Sequence, residues 1–227
     1  FRASTVVPLI PIEFHSQIKY ASTFSVHVGF RLDENPNRWM VAWTTTPWTL
    51  PSNLALIVYP DLEYVVAKGM VKYEYYVMWS MLQKLKNENL EIVEKVKGSV
   101  FVGKTYQPLF PYFAHLKEER KAFRVLSGTF ITTDQGTGVV HQAPYFGEAA
   151  FQCCLEHGVI SKYMKPICPV DETGKYTSEV ADYVGVFVKD ADKAIMKRLK
   201  ESGHLVREGE FHDDYPFCWQ SDTPLIY

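Results

Sequence analysis

A chain of 227 residues is long enough for one large domain or two small ones. Its formal net charge of −2 argues against strong nonspecific binding to nucleic acid, which depends on neutralising phosphates with Lys and Arg. Because no apolar run approaches the roughly 20 residues of a membrane span, we expect no membrane contact.

Strand patterns dominate the first third of the chain. Phe24–Phe30 alternates apolar and polar residues and predicts a half-buried strand. Two β-rich runs follow at Arg38–Trp43 and Leu54–Tyr59, and Glu63–Ala67 is predicted to continue the sheet. The segment between the two runs, VAWTTTPWTLPSN, is therefore the end of one strand, a proline-containing turn and the start of another.

The rest of the chain mixes helices and strands. Apolar residues at helical spacing over Met78–Leu85 predict an amphipathic helix, and Leu90–Val102 returns to strand character. Gln107–Ala114, which contains two prolines and three aromatic residues, is predicted to be a packed loop.

The last part of the chain predicts one hairpin and two helices. Phe123–Thr132 and Gly138–His141 are expected to pair through a turn at Asp134–Gly136. Helices are predicted at Glu148–Glu156 and Asp190–Ser202, each followed by a glycine that ends it.

Many short strands with interspersed helices predict a mixed α/β (α+β) fold with a β-barrel core and peripheral helices. We interpret residues 1–227 as a single domain, since no linker or internal repeat interrupts the chain. The N-terminal FRASTVVPLI has neither an initiator Met nor a leader. We therefore expect no signal peptide and interpret the chain as a piece of a longer one.

The cysteines and histidines point away from metal binding and covalent catalysis. The four cysteines include no C-x-x-C pair, and no two of the seven histidines have metal-ligand spacing. Cys153 and Cys154 fall in an apolar helix, where free thiols usually pack as core residues. We expect free thiols in a reducing, cytoplasmic setting, and no metal site.

Candidate chemistry lies in VAWTTTPWTLPSN, whose threonines fit either plain β-propensity or a cluster of ligand-binding hydroxyls. Pro47 and Pro51 favour the second interpretation somewhat, because they interrupt strand hydrogen bonding where the hydroxyls cluster. The hydroxyls concerned belong to Thr44, Thr45 and Thr46.

Four further residues fit two interpretations each. Trp43 and Trp48 suit a core or the wall of a small apolar pocket, and Asn53 suits a turn or a polar contact. His141 ends an apolar strand, where it fits a structural residue or a hydrogen-bond donor in a site.

Two motifs together resemble the editing domain of isoleucyl-tRNA synthetase, of the eukaryotic cytosolic type. WTTTPWTLPSN is similar to its Thr-rich motif and GTGVVHQAPYFGE to its second motif, while PVDETGKYTSEV, VGVFVKDADK and YPFCWQSDTPLIY agree as well. The resemblance implies a connective-peptide insertion whose ends, residues 1–20 and 212–227, connect to a catalytic domain. ATP and magnesium are expected in that missing catalytic domain, and no cofactor is expected in this one.

The resemblance also implies hydrolysis of valine wrongly esterified to the isoleucine tRNA, by a positioned water. The expected partners are the 3′ end of that tRNA and the rest of the synthetase chain. Thr44–Thr46 would contact the carbonyl, the terminal ribose or the water, and Trp48 and Asn53 would shape the adenosine end. His141 would line the amino-acid pocket and exclude isoleucine.

One substrate-binding position departs from the family pattern. The second motif normally carries an aspartate nine residues after its histidine, where it binds the substrate's ammonium group, and this chain has Ala150 there. The cation loses a charge-assisted partner of roughly 1.5–3 kcal/mol, and Glu148 points to another side of the helix. Ala150 therefore predicts weak or absent hydrolysis in this form.

Two competing functions stay open at this point. Ala150 and the acidic net charge favour a catalytically silent tRNA-binding or structural insertion of the synthetase. A generic β-barrel that binds small molecules explains the aromatic residues but not the paired motifs.

Overall fold

A computed structural model describes residues 16–68, 74–78, 91–131, 136–219, 222 and 224–226. Its strands are β1 (Ser16–Arg31), β2 (Arg38–Thr44), β3 (Ala55–Val58), β4 (Glu63–Lys68), β5 (Glu74–Met78), β6 (Glu91–Lys97), β7 (Arg124–Ser127), β8 (Val139–Gln142) and β9 (Leu205–Cys218). Its α-helices are α1 (Leu116–Glu119), α2 (Glu148–Glu156) and α3 (Val188–Glu201). Short 3₁₀ turns lie at Pro47–Ser52, Gly98–Val100 and Ala181–Tyr183.

Six strands form the larger sheet, in the order β6-β4-β5-β2-β1-β9. The neighbours are antiparallel except for β2 and β5, which are parallel. β1 pairs with β2 only from Val26 onwards, whereas its pairing with β9 begins at Ser16. The β1–β9 ribbon therefore extends well beyond the end of β2 at Thr44.

Three strands form the smaller sheet, in the order β7-β3-β8. The predicted hairpin between Phe123–Thr132 and Gly138–His141 is wrong, because β3 lies between these two strands and pairs with both. All four residues of β3 are buried, as is typical of a strand with a neighbour on each side. Residues 132–135, which hold most of the predicted turn, lie outside the described residues.

The predicted mixed α/β fold is confirmed, but the predicted closed barrel is not, since the described strands form two separate sheets. β2 and β3 each have a partner on both edges, so neither can extend its ladder into the other sheet. A side chain bridges the sheets instead: the Thr137 hydroxyl donates to the Val41 carbonyl at 2.6 Å.

The predicted helices are confirmed in part. The helix predicted at Glu148–Glu156 is α2, and α3 begins two residues before the predicted Asp190. α3 buries Ala191, Ile195 and Leu199 in the core, while Ala194 is exposed. Of the helix predicted over Met78–Leu85, Met78 ends strand β5, and the remainder lies outside the described residues.

The loop predicted over Gln107–Ala114 is confirmed, and it packs Phe110 and Phe113 into the core. None of the helices in the described part of the chain has the length and apolarity needed to cross a bilayer.

The Thr-rich segment connects the two sheets through the 3₁₀ turn Pro47–Ser52. Proline at the first position of such a turn costs no hydrogen bond, because that backbone nitrogen has no partner there in any case. The backbone of Trp48 is held on both sides: its backbone N–H donates to the Asp192 carboxylate of α3, and its carbonyl accepts from the buried Tyr176 hydroxyl. Core packing and α3 together therefore fix the position of the turn.

Asp192 is 5% exposed, so the loss of its carboxylate should destabilise the fold. We expect Asp192→Ala to lower the free energy of unfolding by about 1–3 kcal/mol, because the buried backbone N–H of Trp48 loses its acceptor. Asp192→Asn should cost less, since its amide oxygen still accepts that N–H. Urea unfolding measures both, and equal midpoints for the wild type and Asp192→Ala would contradict the assigned support.

Candidate functional site

Three threonines form a chain of hydroxyl contacts across the end of β2 and the 3₁₀ turn. Thr46 Oγ1 lies 3.1 Å from Thr44 Oγ1 and 3.3 Å from Thr49 Oγ1. The Thr46 N–H donates to Thr44 Oγ1 at 3.1 Å, and the Thr49 hydroxyl donates to the Thr46 carbonyl at 2.9 Å. Because Thr46 and Thr49 are three residues apart, a 3₁₀ turn places them on the same side.

His141, on strand β8, joins this hydroxyl chain. Its Nε2 lies 2.7 Å from Thr49 Oγ1, and its Nδ1 lies 3.0 Å from the amide nitrogen of Asn53. The strand register brings His141 close to Asn53. β8 pairs with β3 so that His141 is opposite Leu56, which follows Asn53 closely in the chain. The two segments singled out in the sequence are thus in direct contact.

The orientation of the Asn53 amide determines the tautomer of His141. The Asn53 Nδ2 donates to the Ala55 carbonyl at 2.9 Å, and its Oδ1 accepts from the Tyr106 hydroxyl at 2.7 Å. The nitrogen that faces His141 is thus a donor, so Nδ1 must accept and the proton is on Nε2. The Nε2–H in turn donates to Thr49, which leaves no imidazole lone pair free to act as a base.

The same environment keeps His141 neutral. Burial of the ring lowers the pKa of His141 to about 4. A second proton on Nδ1 would also face the Asn53 N–H group, which cannot accept it. At neutral pH the imidazole is therefore uncharged and is held in one orientation by Thr49 and Asn53.

A cleft of about 230 Å³ opens beside the hydroxyl chain. One wall is the Thr-rich turn, which contributes Thr45, Thr46 and Thr49. The part of the β1–β9 ribbon that extends beyond β2 also lines the cleft. The remaining residues along the cleft are Thr23, Trp48, Phe146, Phe211, Asp213, Asp214 and Tyr215.

The other candidate residues take different places around this cleft. Trp48 lines it, and Trp43 packs edge-on against Phe211 with ring centroids 5.2 Å apart. Neither His141 nor Asn53 lines the cleft: His141 contacts Thr49, which does, and Asn53, which is only 3% exposed, orients the imidazole. Ala150 is partly buried in the first turn of α2 and is not among the residues that line the cleft.

The adjacent thiols are in the core, as expected from the sequence. Cys153 and Cys154 are buried in α2, and burial raises the pKa of the two thiols to about 11 and about 12. Neither supplies a thiolate nucleophile near neutral pH.

The candidates predicted from the sequence do not include Thr49, Tyr106 or the acidic residues of β9. Thr49 could have been found, because a turn of 3₁₀ type aligns it with Thr46. Tyr106 gives no local signal, because it is 53 residues away in sequence from Asn53, whose amide it contacts. Asp213 gives none either, because it is more than 150 residues away in sequence from Thr46 and Thr49, which line the same cleft.

A second, larger cleft of about 510 Å³ lies between α3 and the β1–β9 ribbon. Its charged residues have both signs and include an exposed Lys200–Glu208 pair at 3.9 Å. No hydroxyl chain or buried histidine lines it. We regard it as a solvated surface, because exposed ion pairs of this kind contribute little.

Comparison with proteins of known sequence identifies close relatives along the whole chain. The cytoplasmic isoleucine–tRNA ligase of Caenorhabditis elegans is 60% identical over 228 residues, covering 100% of this chain and 20% of that protein. The cytoplasmic isoleucine–tRNA ligase of Mus musculus is 46% identical over 231 residues, covering 100% of this chain and 18% of that protein. The chain thus spans about a fifth of the length of these curated relatives. No protein-family model matches it.

Comparison with solved structures identifies the fold. The editing domain of the P. knowlesi cytosolic leucyl-tRNA synthetase superposes with a TM-score of 0.57 at 14% identity, covering 85% of this chain and 97% of that one. GlLeuRS-CP1 superposes with a TM-score of 0.60 at 14% identity, covering 82% of this chain and 98% of that one.

The two sheets and their connecting turn therefore have the fold of the aminoacyl-tRNA synthetase editing domains. Within that class, the chain is similar to the isoleucine–tRNA ligases along its whole length, which confirms the family resemblance drawn from its motifs.

The tautomer assigned to His141 can be tested by NMR titration of its imidazole. We expect a pKa of about 4 in the folded chain, against 6.5 for an ordinary histidine. Because folding lowers this pKa, the neutral ring stabilises the fold above pH 6.5, and that contribution is lost as the pH falls from 6.5 towards 4.

The substitution Asn53→Asp tests whether the Asn53 amide sets the pKa of His141. An aspartate oxygen accepts a proton from Nδ1, so the pKa of His141 should rise to or above its ordinary value. Asn37→Asp is the control, because Asn37 is exposed and far along the chain from His141. A His141 pKa near 6.5 in the wild type would contradict the assigned hydrogen bonds.

Proposed function

We propose that this chain hydrolyses the ester of valine wrongly attached to isoleucine tRNA, as the editing domain of a longer cytoplasmic isoleucine–tRNA ligase. The observation that carries the proposal is the contact between the Thr-rich turn and His141 at the side of one cleft. The relatives are named for the ligase, and the solved neighbours have the same fold.

The size of the cleft suits part of the substrate. Pockets for drug-sized ligands have volumes of roughly 300–1,000 Å³, whereas this cleft has about 230 Å³. The aminoacyl group enters it, and the terminal adenosine lies at its mouth. Trp48 and Phe146, which pack edge-on with ring centroids 5.0 Å apart, supply an apolar wall for the valine methyl groups.

The chemistry needs a positioned water and donors for the developing negative charge. Water adds to the ester carbonyl, the bond to the ribose oxygen breaks, and a proton passes to that oxygen, which releases valine and intact tRNA. The Thr46 hydroxyl has two neighbouring hydroxyls as alternative acceptors, so its proton can turn to a substrate oxygen. Fixed donors aimed at an oxyanion supply much of the catalysis in such sites.

His141 contributes shape and rigidity and does not act as a base. Its two nitrogens are already engaged with Asn53 and Thr49, so the imidazole is fixed in one orientation. The larger isoleucine side chain is excluded on the Thr49 side of the cleft, which this imidazole supports. One methylene in an apolar pocket is worth only about 1–3 kcal/mol. A second sieve is needed for this reason, because the synthetic site cannot discriminate well enough by itself. ATP and magnesium belong to the part of the ligase beyond residues 1–227.

Thr46→Val tests the hydroxyl assignment. We expect the rate of deacylation of Val-tRNA(Ile) to fall by about 100-fold or more, the usual loss when one oxyanion donor is removed. Thr129→Val is the control, since Thr129 is exposed and does not line the cleft. Deacylation is followed by release of labelled valine, and an unchanged rate in Thr46→Val would refute the role.

Ala150→Asp tests the expected impairment. An aspartate at this position should bind the substrate's ammonium group and raise kcat/KM by about 10-fold or more, given charge-assisted hydrogen bonds of roughly 1.5–3 kcal/mol. It also lies in the first turn of α2, where a carboxylate is favourable. Ala149→Asp is the control, because it adds the same charge one position earlier, about 100° around the helix.

A catalytically silent insertion is the alternative function, and Ala150 is the observation that favours it. The silent insertion predicts no valine release from the wild type or from Ala150→Asp. Activity in Ala150→Asp alone would mean that the site is intact and lacks only the carboxylate.

A further inference from the structure

The acidic wall of the cleft comes from strand β9. Successive side chains of a strand point to opposite faces, and Phe211 and Tyr215 both line the cleft. Asp213, midway between them, is on that same face and lines the cleft as well. Asp214 also lines the cleft, but strand alternation places its side chain on the other face, where Tyr20 and His212 stack with ring centroids 5.8 Å apart.

The carboxylate of Asp213 is available to a ligand. Among the ion pairs of the described residues, none includes Asp213. One carboxylate oxygen accepts the N–H of Asp214 at 2.8 Å, which restrains the side chain and leaves the second oxygen available. Acceptors with a negative charge bind an ammonium group more strongly than neutral ones.

One cation already lies against two of the aromatic residues that line the cleft. Lys189 places its ammonium group 4.8 Å from the ring centroid of Tyr215 and 5.9 Å from that of Trp48. Ring faces attract cations at such distances. The Trp48 indole lines the same cleft, is 3% exposed, and has no acceptor for its N–H among the described residues. Because Lys189 already contacts both rings, the charge of an ammonium group in the cleft has to be met by a carboxylate, and Asp213 supplies one.

We infer that Asp213 binds the α-ammonium group of the aminoacyl substrate, in place of the carboxylate that is absent at Ala150. This inference rests on the proposed function and extends it. In this chain the substrate is held between hydroxyls of the Thr-rich turn, which face its carbonyl, and a carboxylate of β9, which faces its ammonium group. The residual editing activity of the Ala150 form depends on Asp213.

Two ligands separate ammonium binding from other roles of Asp213. The first is adenosine that carries valine through an amide bond at the ribose, which resists hydrolysis. The second is the same amide made with 3-methylbutanoic acid, which lacks the amino group. Binding of both is measured by calorimetry on the 227-residue chain, for the wild type and for Asp213→Asn.

We expect Asp213→Asn to weaken binding of the valyl amide by about 10- to 100-fold and to leave the 3-methylbutanoyl amide unaffected. Glu210→Gln is the matched control, because it removes one charge from the same strand and does not line the cleft. Asp214→Asn should cause a smaller loss than Asp213→Asn. An equal loss for both ligands, or a loss confined to Asp214→Asn, would overturn the assignment.

The Ala150→Asp background gives a second readout. If the two carboxylates serve the same ammonium group, Asp213→Asn should slow deacylation less in Ala150→Asp than in the wild type. Full additivity would overturn the inference. Deacylation and valyl-amide binding that persist unchanged in Asp213→Asn would reject the inference and leave the proposed function intact. Absence of both in every variant would reject the function itself.

Discussion

The side-chain amide of Asn53 is the constraint on which the site depends. Its nitrogen is committed to the Ala55 carbonyl and its oxygen to the buried Tyr106 hydroxyl, so its orientation is fixed before any ligand arrives. That orientation makes Nδ1 of His141 an acceptor and Nε2 a donor to Thr49. A single buried amide thus connects two segments that are 88 residues apart and sets the protonation state of the imidazole.

The Thr-rich turn is likewise held in place by buried hydrogen bonds to distant parts of the fold. The turn connects two sheets that do not share a ladder, and both backbone groups of Trp48 are bonded to distant elements, α3 and Tyr176. Groups held in this way need no rearrangement when a substrate binds, which is the condition for hydroxyls to orient a water effectively. Fold stability and the geometry of the site therefore depend on the same contacts.

The residues that line and support the cleft come from two parts of the fold. The hydroxyl wall and His141 come from the two motifs, whereas the acidic wall comes from the β1–β9 ribbon, which extends beyond β2. An ammonium group needs only a nearby acceptor of negative charge, and it can approach from several directions. Recognition of the carbonyl is stricter, because donors must point at one developing oxyanion.

The sequence by itself determined the family, most strands, α2 and the packed loop, because alternation, helical spacing and paired motifs are local patterns. It also indicated Thr44–Thr46 and His141 as candidates that belong to one site. Only the tertiary structure decided that β3 lies between β7 and β8, that the sheets stay separate and that Asn53 lies behind His141. It alone placed Asp213 in the same cleft as Thr46. Strand order, amide orientation and long-range register depend on contacts between residues far apart in the chain, and no local pattern encodes them.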